Sequence, residues 1–267
     1  MIQLTHVPSE RAGAPSLVLI PGGPGLSSYT LRSMDELRRS FHLYYVDFPG
    51  TNGVEFDRAV DFASLSRELA GKVSALTDPV FLFGHSFGGF FAARLAIDLP
   101  EVGGLICAAV PFSAESQKTG YVNYVDAKHG ALAATAEAWE RMPSDSSFSA
   151  WLSEYGELYF SRENLQAGKN LMATDRCSHA LFLSIRGEAK EMDSMVAELR
   201  DWGGRKLFLA GAHDGLLPND ILQRDAERMG FAFRSIAKAS HFVTFDRPEE
   251  VAKNIEDYFL AQKKETL

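Results

Sequence analysis

Val80-Phe81-Leu82-Phe83-Gly84-His85-Ser86-Phe87-Gly88-Gly89 is the stretch that decides the fold. Four apolar, strand-forming residues run into Gly84, and an apolar segment, Phe87 to Leu99, leaves on the far side until Pro100 ends it. Proline cannot continue a helix, because it has no N–H to give and crowds the preceding turn. Between the two lies Gly84-His85-Ser86-Phe87-Gly88, the Gly-x-Ser-x-Gly pattern of a serine raised on a sharp strand-to-helix turn. The pattern alone is weak, and a helix-capping serine in a glycine-rich turn would also fit it; the entering strand and departing helix make it specific. A serine on such a turn adopts a strained backbone, and its neighbours two residues away must lack bulk or strand and helix collide. Gly84, Gly88 and Gly89 meet that need. The turn then lifts the Ser86 oxygen clear of the sheet and aims the helix N-terminus at an incoming carbonyl.

Outward from this point, short apolar runs alternate with helical patterns, as in a parallel sheet covered on both faces. The other strand candidates are Ser16 to Ile20, Phe41 to Val46, Leu105 to Val110, Lys206 to Ala210 and Ala232 to Ile236. Helices are predicted over Ser28 to Arg39, Asp61 to Leu76, Asp220 to Met229 and Pro248 to Gln262. The alternation breaks after Pro111. Residues 112–202 show no strand run, while Ala131 to Arg141, Phe148 to Tyr159 and Lys190 to Asp201 read as helices. The chain therefore divides into an α/β core, 1–111 with 203–267, and a helical cap, 112–202, expected to lie as a lid over the strand ends.

A serine hydroxyl needs a base to take its proton. Seven histidines are available. His6 and His42 lie near strand starts, His129 and His179 in the insertion, His85 in the turn itself, and His213 beside Asp214. His241 follows the last strand, at the sheet edge where sites of open α/β folds form, and is the expected base. Asp214, after the Lys206 to Ala210 strand, reaches the same edge and is the expected acid that orients it. The order Ser, Asp, His is the order that this arrangement uses. Asp47 also ends a strand, but it precedes Ser86 and is expected to stabilise its own turn. The developing oxyanion needs fixed N–H donors, expected from the backbone of Phe87 and of Gly23 in Pro21-Gly22-Gly23-Pro24-Gly25. That glycine-rich loop lacks the Lys-Ser/Thr of a phosphate cradle.

The chain has 267 residues and a net charge of −8, which argues against a nucleic-acid partner, since phosphate contact needs clustered Lys and Arg. No run approaches the ~18 apolar residues of a membrane span. The N-terminus lacks the cationic-then-apolar pattern of a signal peptide, so a cytoplasmic location and no membrane partner are expected. Cys107 and Cys177 read as structural thiols. No His, Glu or Cys cluster has metal-ligand spacing, and no cofactor is expected. Oligomeric state is not legible.

The chain resembles the α/β-hydrolase superfamily over nearly its whole length. Within it, Pro21 to Gly25 together with Gly84 to Gly89 resembles the proline iminopeptidase branch, as do Gly211, Asp214, Pro218, His241 and the run Arg247-Pro248-Glu249-Glu250-Val251. The branch has His where this chain has Pro21, and it uses acidic cap residues to hold a substrate's free amino group. Ala138-Trp139-Glu140 is similar to one of its cap motifs, which implies substrate contact by Trp139 and Glu140; packing by Trp139 beside a solvated Glu140 is the alternative. The expected function is hydrolysis of an ester or amide bond in a small-molecule or short peptide substrate through an acyl-enzyme. An iminopeptidase-like aminopeptidase, a carboxylesterase and a C–C bond hydrolase remain open on this triad, as does a binding protein that has lost turnover.

Overall fold

The apolar runs assemble into one seven-stranded sheet of order β1-β3-β2-β4-β5-β6-β7. The computed structural model describes residues 1–57, 59–128, 130–188 and 193–260. The strands are β1 (Gln3–Val7), β2 (Ser16–Ile20), β3 (His42–Asp47), β4 (Val80–His85), β5 (Val102–Ala108), β6 (Arg205–Gly211) and β7 (Ala232–Ile236). All neighbouring pairs are parallel except β1 with β3, which is antiparallel. The parallel strands therefore deliver their carboxyl ends to one edge.

Both faces are covered. Val18, Ile20, Val46 and Leu82 point into a core shared with α1 (Phe62–Val73) and α2 (Gly88–Asp98). Leu17, Leu19, Leu43, Phe83 and Leu209 point the other way, onto a 3₁₀ helix over Ser28–Arg39 and a C-terminal helix. Alternate residues of one strand thus feed opposite cores, the period-two rule of a pleated strand. The predicted helix at Ser28 to Arg39 forms over those bounds as a 3₁₀ helix. Its buried Ser28, Leu31, Met34 and Leu37 recur every third residue, the repeat of three residues per turn.

Two elements depart from expectation. β1 is an edge strand that no apolar run announces; Gln-Leu-Thr-His-Val is short and half polar, and it is held by its ladder to β3. β5 begins at Val102, through Gly103-Gly104, and ends at Ala108 rather than Val110. A Cβ on Gly104 would lie 2.3 Å from the Phe259 ring, so glycine here marks a close approach and not a chain break. Ala109, at φ 51°, turns the chain out of the strand.

Between β5 and β6 the described residues form only helices: α3 (Ala114–Asp126), α4 (Ala131–Arg141), α5 (Asp145–Glu154), α6 (Gly156–Tyr159), α7 (Leu165–Thr174), α8 (His179–Ile185) and α9 (Asp193–Asp201). After β6 come α10 (Asn219–Arg228), α11 (Val243–Asp246) and α12 (Pro248–Phe259). Serine capping boxes start α3 (Ser113 with Ser116) and α5 (Ser144 with Ser147). His129, residues 190–192 of one expected helix and residues 261–262 of another lie outside the described residues. Among the described residues no helix is long and apolar enough to cross a membrane. Cys107 and Cys177 are free and buried.

Candidate active site

Ser86 leaves β4 at φ 49°, one of four non-glycine residues with positive φ among those described. Three glycines make the turn sterically feasible. A Cβ on Gly84 would sit 2.5 Å from Gly89 Cα, one on Gly88 2.3 Å from the Pro21 carbonyl oxygen, and one on Gly89 2.2 Å from Val110. Strand, turn and helix pack backbone to backbone. The Ser86 N–H is tied to the Ala108 carbonyl (2.8 Å), and its carbonyl accepts the Gly89 N–H (2.9 Å), which opens α2. Phe87 stands at the N-cap of that helix.

The Pro21 to Gly25 loop leaves β2 and lies directly against this turn. A Cβ on Gly22 would be 3.1 Å from Ser86 Cβ. Gly23 has φ 116° and Gly25 φ 95°, conformations open to glycine and strained for other residues. The structure thus sets Gly22 against Ser86, with Gly23 next in the loop, while Phe87 follows Ser86 at the start of α2.

Across the edge, His241 Nδ1 lies 2.9 Å from Asp214 Oδ2. The other oxygen, Oδ1, accepts the N–H groups of Leu216 (2.9 Å) and Leu217 (2.8 Å). Both side chains are buried, His241 being 2% and Asp214 9% exposed. A carboxylate held by two backbone donors keeps its second oxygen aimed at the ring, which places the Nδ1 proton between them and leaves Nε2 free to act as base.

The histidine loop is braced from several sides. The Ser240 N–H donates to Asp246 Oδ2 (2.8 Å), and the Phe242 N–H donates to the Tyr159 carbonyl (2.9 Å). The buried Asp246 carboxylate also accepts the Ser161 N–H and hydroxyl and the Asn164 amide, so it ties the helical segment to the His241 loop.

The remaining histidines fall elsewhere. His6 and His42 contact one another across β1 and β3 (3.3 Å), and His179 meets Asp145 at 2.7 Å. His213 is exposed. His85 is fully buried beside His241, with Nε2 3.1 Å from the His241 carbonyl oxygen. A carbonyl only accepts, so Nε2 carries the proton. Burial, with His241 adding to it, pushes the His85 pKa down to about 3, so the ring is neutral. Asp47 binds the Ser28 N–H and hydroxyl and the Asn52 amide, fastening its own turn to the 3₁₀ helix.

Of the two cap residues, Trp139 is buried in an aromatic cluster, stacked on Trp151 (4.7 Å between ring centres), tilted against Phe148 and edge-on to Phe182. Glu140 points outward with its side chain 65% exposed, 3.4 Å from Lys128. The structure does not bring Glu140 to Ser86. Among the described residues, no group of three or more His, Cys, Asp or Glu side chains could hold a metal ion.

The family model described as "Alpha/beta hydrolase family" matches residues 17–254. The chain belongs to the α/β-hydrolase family. Its resemblance to solved members extends over the whole fold. An esterase from Thermogutta terrifontis superposes with a TM-score of 0.72 at 17% identity, covering 96% of this chain and 92% of that one. An esterase from Exiguobacterium antarcticum does so with 0.72 at 18% identity, covering 97% and 95%. At these identities the likeness concerns the fold. In sequence, the chain is 34% identical over 95 residues to a pimeloyl-[acyl-carrier protein] methyl ester esterase of Xylella fastidiosa strain M12. The match spans 36% of each protein, about a third of that relative's length.

The sequence singled out Ser86, Asp214 and His241 as candidates, and the structure pairs the last two. The sequence held no signal for the bonds of the buried carboxylates Asp175 and Asp246 to Ser27 and Ser161, which lie 148 and 85 residues away. Only the fold joins such distant positions.

Proposed function

We propose that this α/β-hydrolase is a carboxylesterase acting on small acyl esters by a serine mechanism. His241 Nε2 takes the Ser86 proton as Oγ attacks the ester carbonyl, and Asp214 supports the imidazolium that forms. The N–H groups of Phe87 and Gly23 hold the oxyanion. His241 passes its proton to the leaving alkoxide, and water, activated by the same ring, releases the acid from Ser86. Residues 112–202 act as the cap over the site.

One observation carries this reading: the buried His241–Asp214 pair stands at the same sheet edge as Ser86 on its strained turn. The ester is favoured over the aminopeptide for a specific reason. An iminopeptidase needs a cap carboxylate for the substrate's ammonium, and Glu140, the residue matched to that motif, faces Lys128 and solvent. The esterases among the relatives support the same choice.

The test compares p-nitrophenyl acetate and butyrate with proline p-nitroanilide, for the native chain and Ser86→Ala. The esters should turn over at least tenfold faster than the anilide, and Ser86→Ala should lose about 10³-fold or more in kcat. Ester turnover that survives in Ser86→Ala would overturn the mechanism. Preferential cleavage of the anilide, lost when the proline amine is blocked, would replace the esterase with the iminopeptidase.

A further inference from the structure

The loop that carries Gly23 is pinched between two parts of the chain. On one side it leans on the Ser86 turn, with Gly22 against Ser86 and Pro21 against Gly88. On the other side lies residues 175–178, a short strap between α7 and α8 of the helical segment. The strap's bonds fall on three residues of the core. Asp175 Oδ2 accepts the Ser27 N–H (3.0 Å), and Oδ1 accepts the Ser27 hydroxyl. The Ser178 N–H donates to the Gly25 carbonyl (2.8 Å), and the Arg176 carbonyl accepts the Asn52 N–H (2.9 Å). There is no slack here: a Cβ on Gly25 would lie 2.4 Å from the Ser178 carbonyl oxygen.

We propose that Asp175 is a positioning residue for the oxyanion site: through Ser27 it fixes the Pro21 to Gly25 loop at the distance from Ser86 that the Gly23 N–H requires. The inference rests on the serine-esterase reading above, and it adds a residue from outside the core to the machinery.

Three features support it. Asp175 is 6% exposed, and burying a carboxylate is costly when a neutral residue of the same shape could fill the space. Its burial and the nearby Asp47 carboxylate push its pKa up to about 6. A purely structural position gains little from such a group, whereas short charge-assisted bonds fix geometry closely. Second, both oxygens converge on one residue, Ser27, whose own hydroxyl caps the 3₁₀ helix by accepting the Tyr29 N–H (3.2 Å). Ser27 therefore cannot shift without unseating either the helix start or the loop. Third, the neighbouring Ser28 is held in the same way by Asp47, so the exit of the loop is gripped from the core side as well.

The test uses the full chain, with Asp175→Asn as the isosteric variant and Ser27→Ala as a milder one that keeps the backbone bond. Measured are kcat and KM on p-nitrophenyl butyrate, inhibition by a trifluoromethyl ketone that forms the tetrahedral adduct, fluorophosphonate labelling of Ser86, and Tm. Asp175→Asn should lose 10- to 100-fold in kcat with KM changed less than threefold. Affinity for the ketone should fall in step with kcat, while Tm at pH 7 stays within about 3 °C. Ser27→Ala should lose 3- to 10-fold, and the double variant no more than Asp175→Asn alone. If kcat in Asp175→Asn stays within twofold, or falls without weakening the ketone, the proposal is overturned although the esterase reading stands. A native chain that neither hydrolyses the ester nor takes the fluorophosphonate fails the esterase reading itself, and this proposal with it.

Discussion

His85 donates from Nε2 to the main-chain carbonyl of His241, 3.1 Å away, across a fully buried contact. The variable position of the elbow motif thereby supports the loop of the proposed base. The second ring nitrogen, Nδ1, has no partner among the described residues, which suits a ring that stays neutral. Removing the donor leaves the His241 carbonyl unpaired and opens a cavity. We expect His85→Ala to destabilise the fold by about 2–4 kcal/mol and, by loosening the His241 loop, to lower kcat. His85→Gln, which keeps an N–H, should recover part of that loss and more than half of the kcat deficit. Urea denaturation and ester kinetics on both variants measure this.

Asp214 offers a sharper test of the relay. In Asp214→Asn the two N–H bonds from Leu216 and Leu217 can persist on the amide oxygen, so the loop should hold. The amide cannot carry the charge opposite His241. A loss of about 10³–10⁴-fold in kcat with little change in Tm is expected. A loss under tenfold would remove Asp214 from the mechanism.

Two glycine-to-alanine substitutions should act in opposite directions. In Gly88→Ala the new methyl meets the Pro21 and Ile20 carbonyl oxygens at 2.3 and 2.5 Å, and backbone atoms cannot step aside. The cost should exceed about 3 kcal/mol and show as a large drop in Tm. Gly71, inside α1, has nothing within 4 Å of its added methyl. Gly71→Ala should stabilise by about 0.5–1 kcal/mol, because alanine loses less backbone freedom on folding.

Asp175 should give an unusual pH signature. An ordinary paired carboxylate strengthens the fold as pH rises, but this one has its folded pKa raised to about 6 from the usual 3.8. Below about pH 4 the group is protonated in both states and makes no difference. Between pH 4 and 6 the unfolded chain ionises first, so the contribution of Asp175 to stability falls by up to about 3 kcal/mol. The unfolding free energy of the native chain, relative to Asp175→Asn, should therefore decline from pH 4 to pH 7. A difference that stays flat across that range would show that the carboxylate ionises at its ordinary pH.

Much of this molecule was legible in its residues because the signals were local. A strand stopping at glycine, a serine, and a helix stopping at Pro100 placed β4, the elbow and α2 within a few positions. Asp214 and His241 were chosen as candidates by the same logic, since each follows a strand and parallel strands share an edge, and their side chains pair at 2.9 Å. What escaped depended on contacts distant in sequence. β1 is a strand only because β3 lies beside it. The strand expected from Leu105 begins earlier, at Val102, because Phe259 packs where a side chain of Gly104 would stand. The roles of Asp175 and Asp246 are invisible to any window along the chain. Glu140 left two readings open, a ligand contact or a solvated neighbour of Trp139, and its side chain is exposed beside Lys128.

Asp246 and Asp175 have a practical consequence for anyone who would retarget this enzyme by exchanging its helical segment for one from a relative. Ser161 and Asn164 leave with the transplant, and so does the strap that grips Ser27. A chimera lacking equivalents would keep all three residues proposed for the proton relay and still work poorly, because the loops around them would drift. Donor segments are best chosen first by whether they bring those anchors.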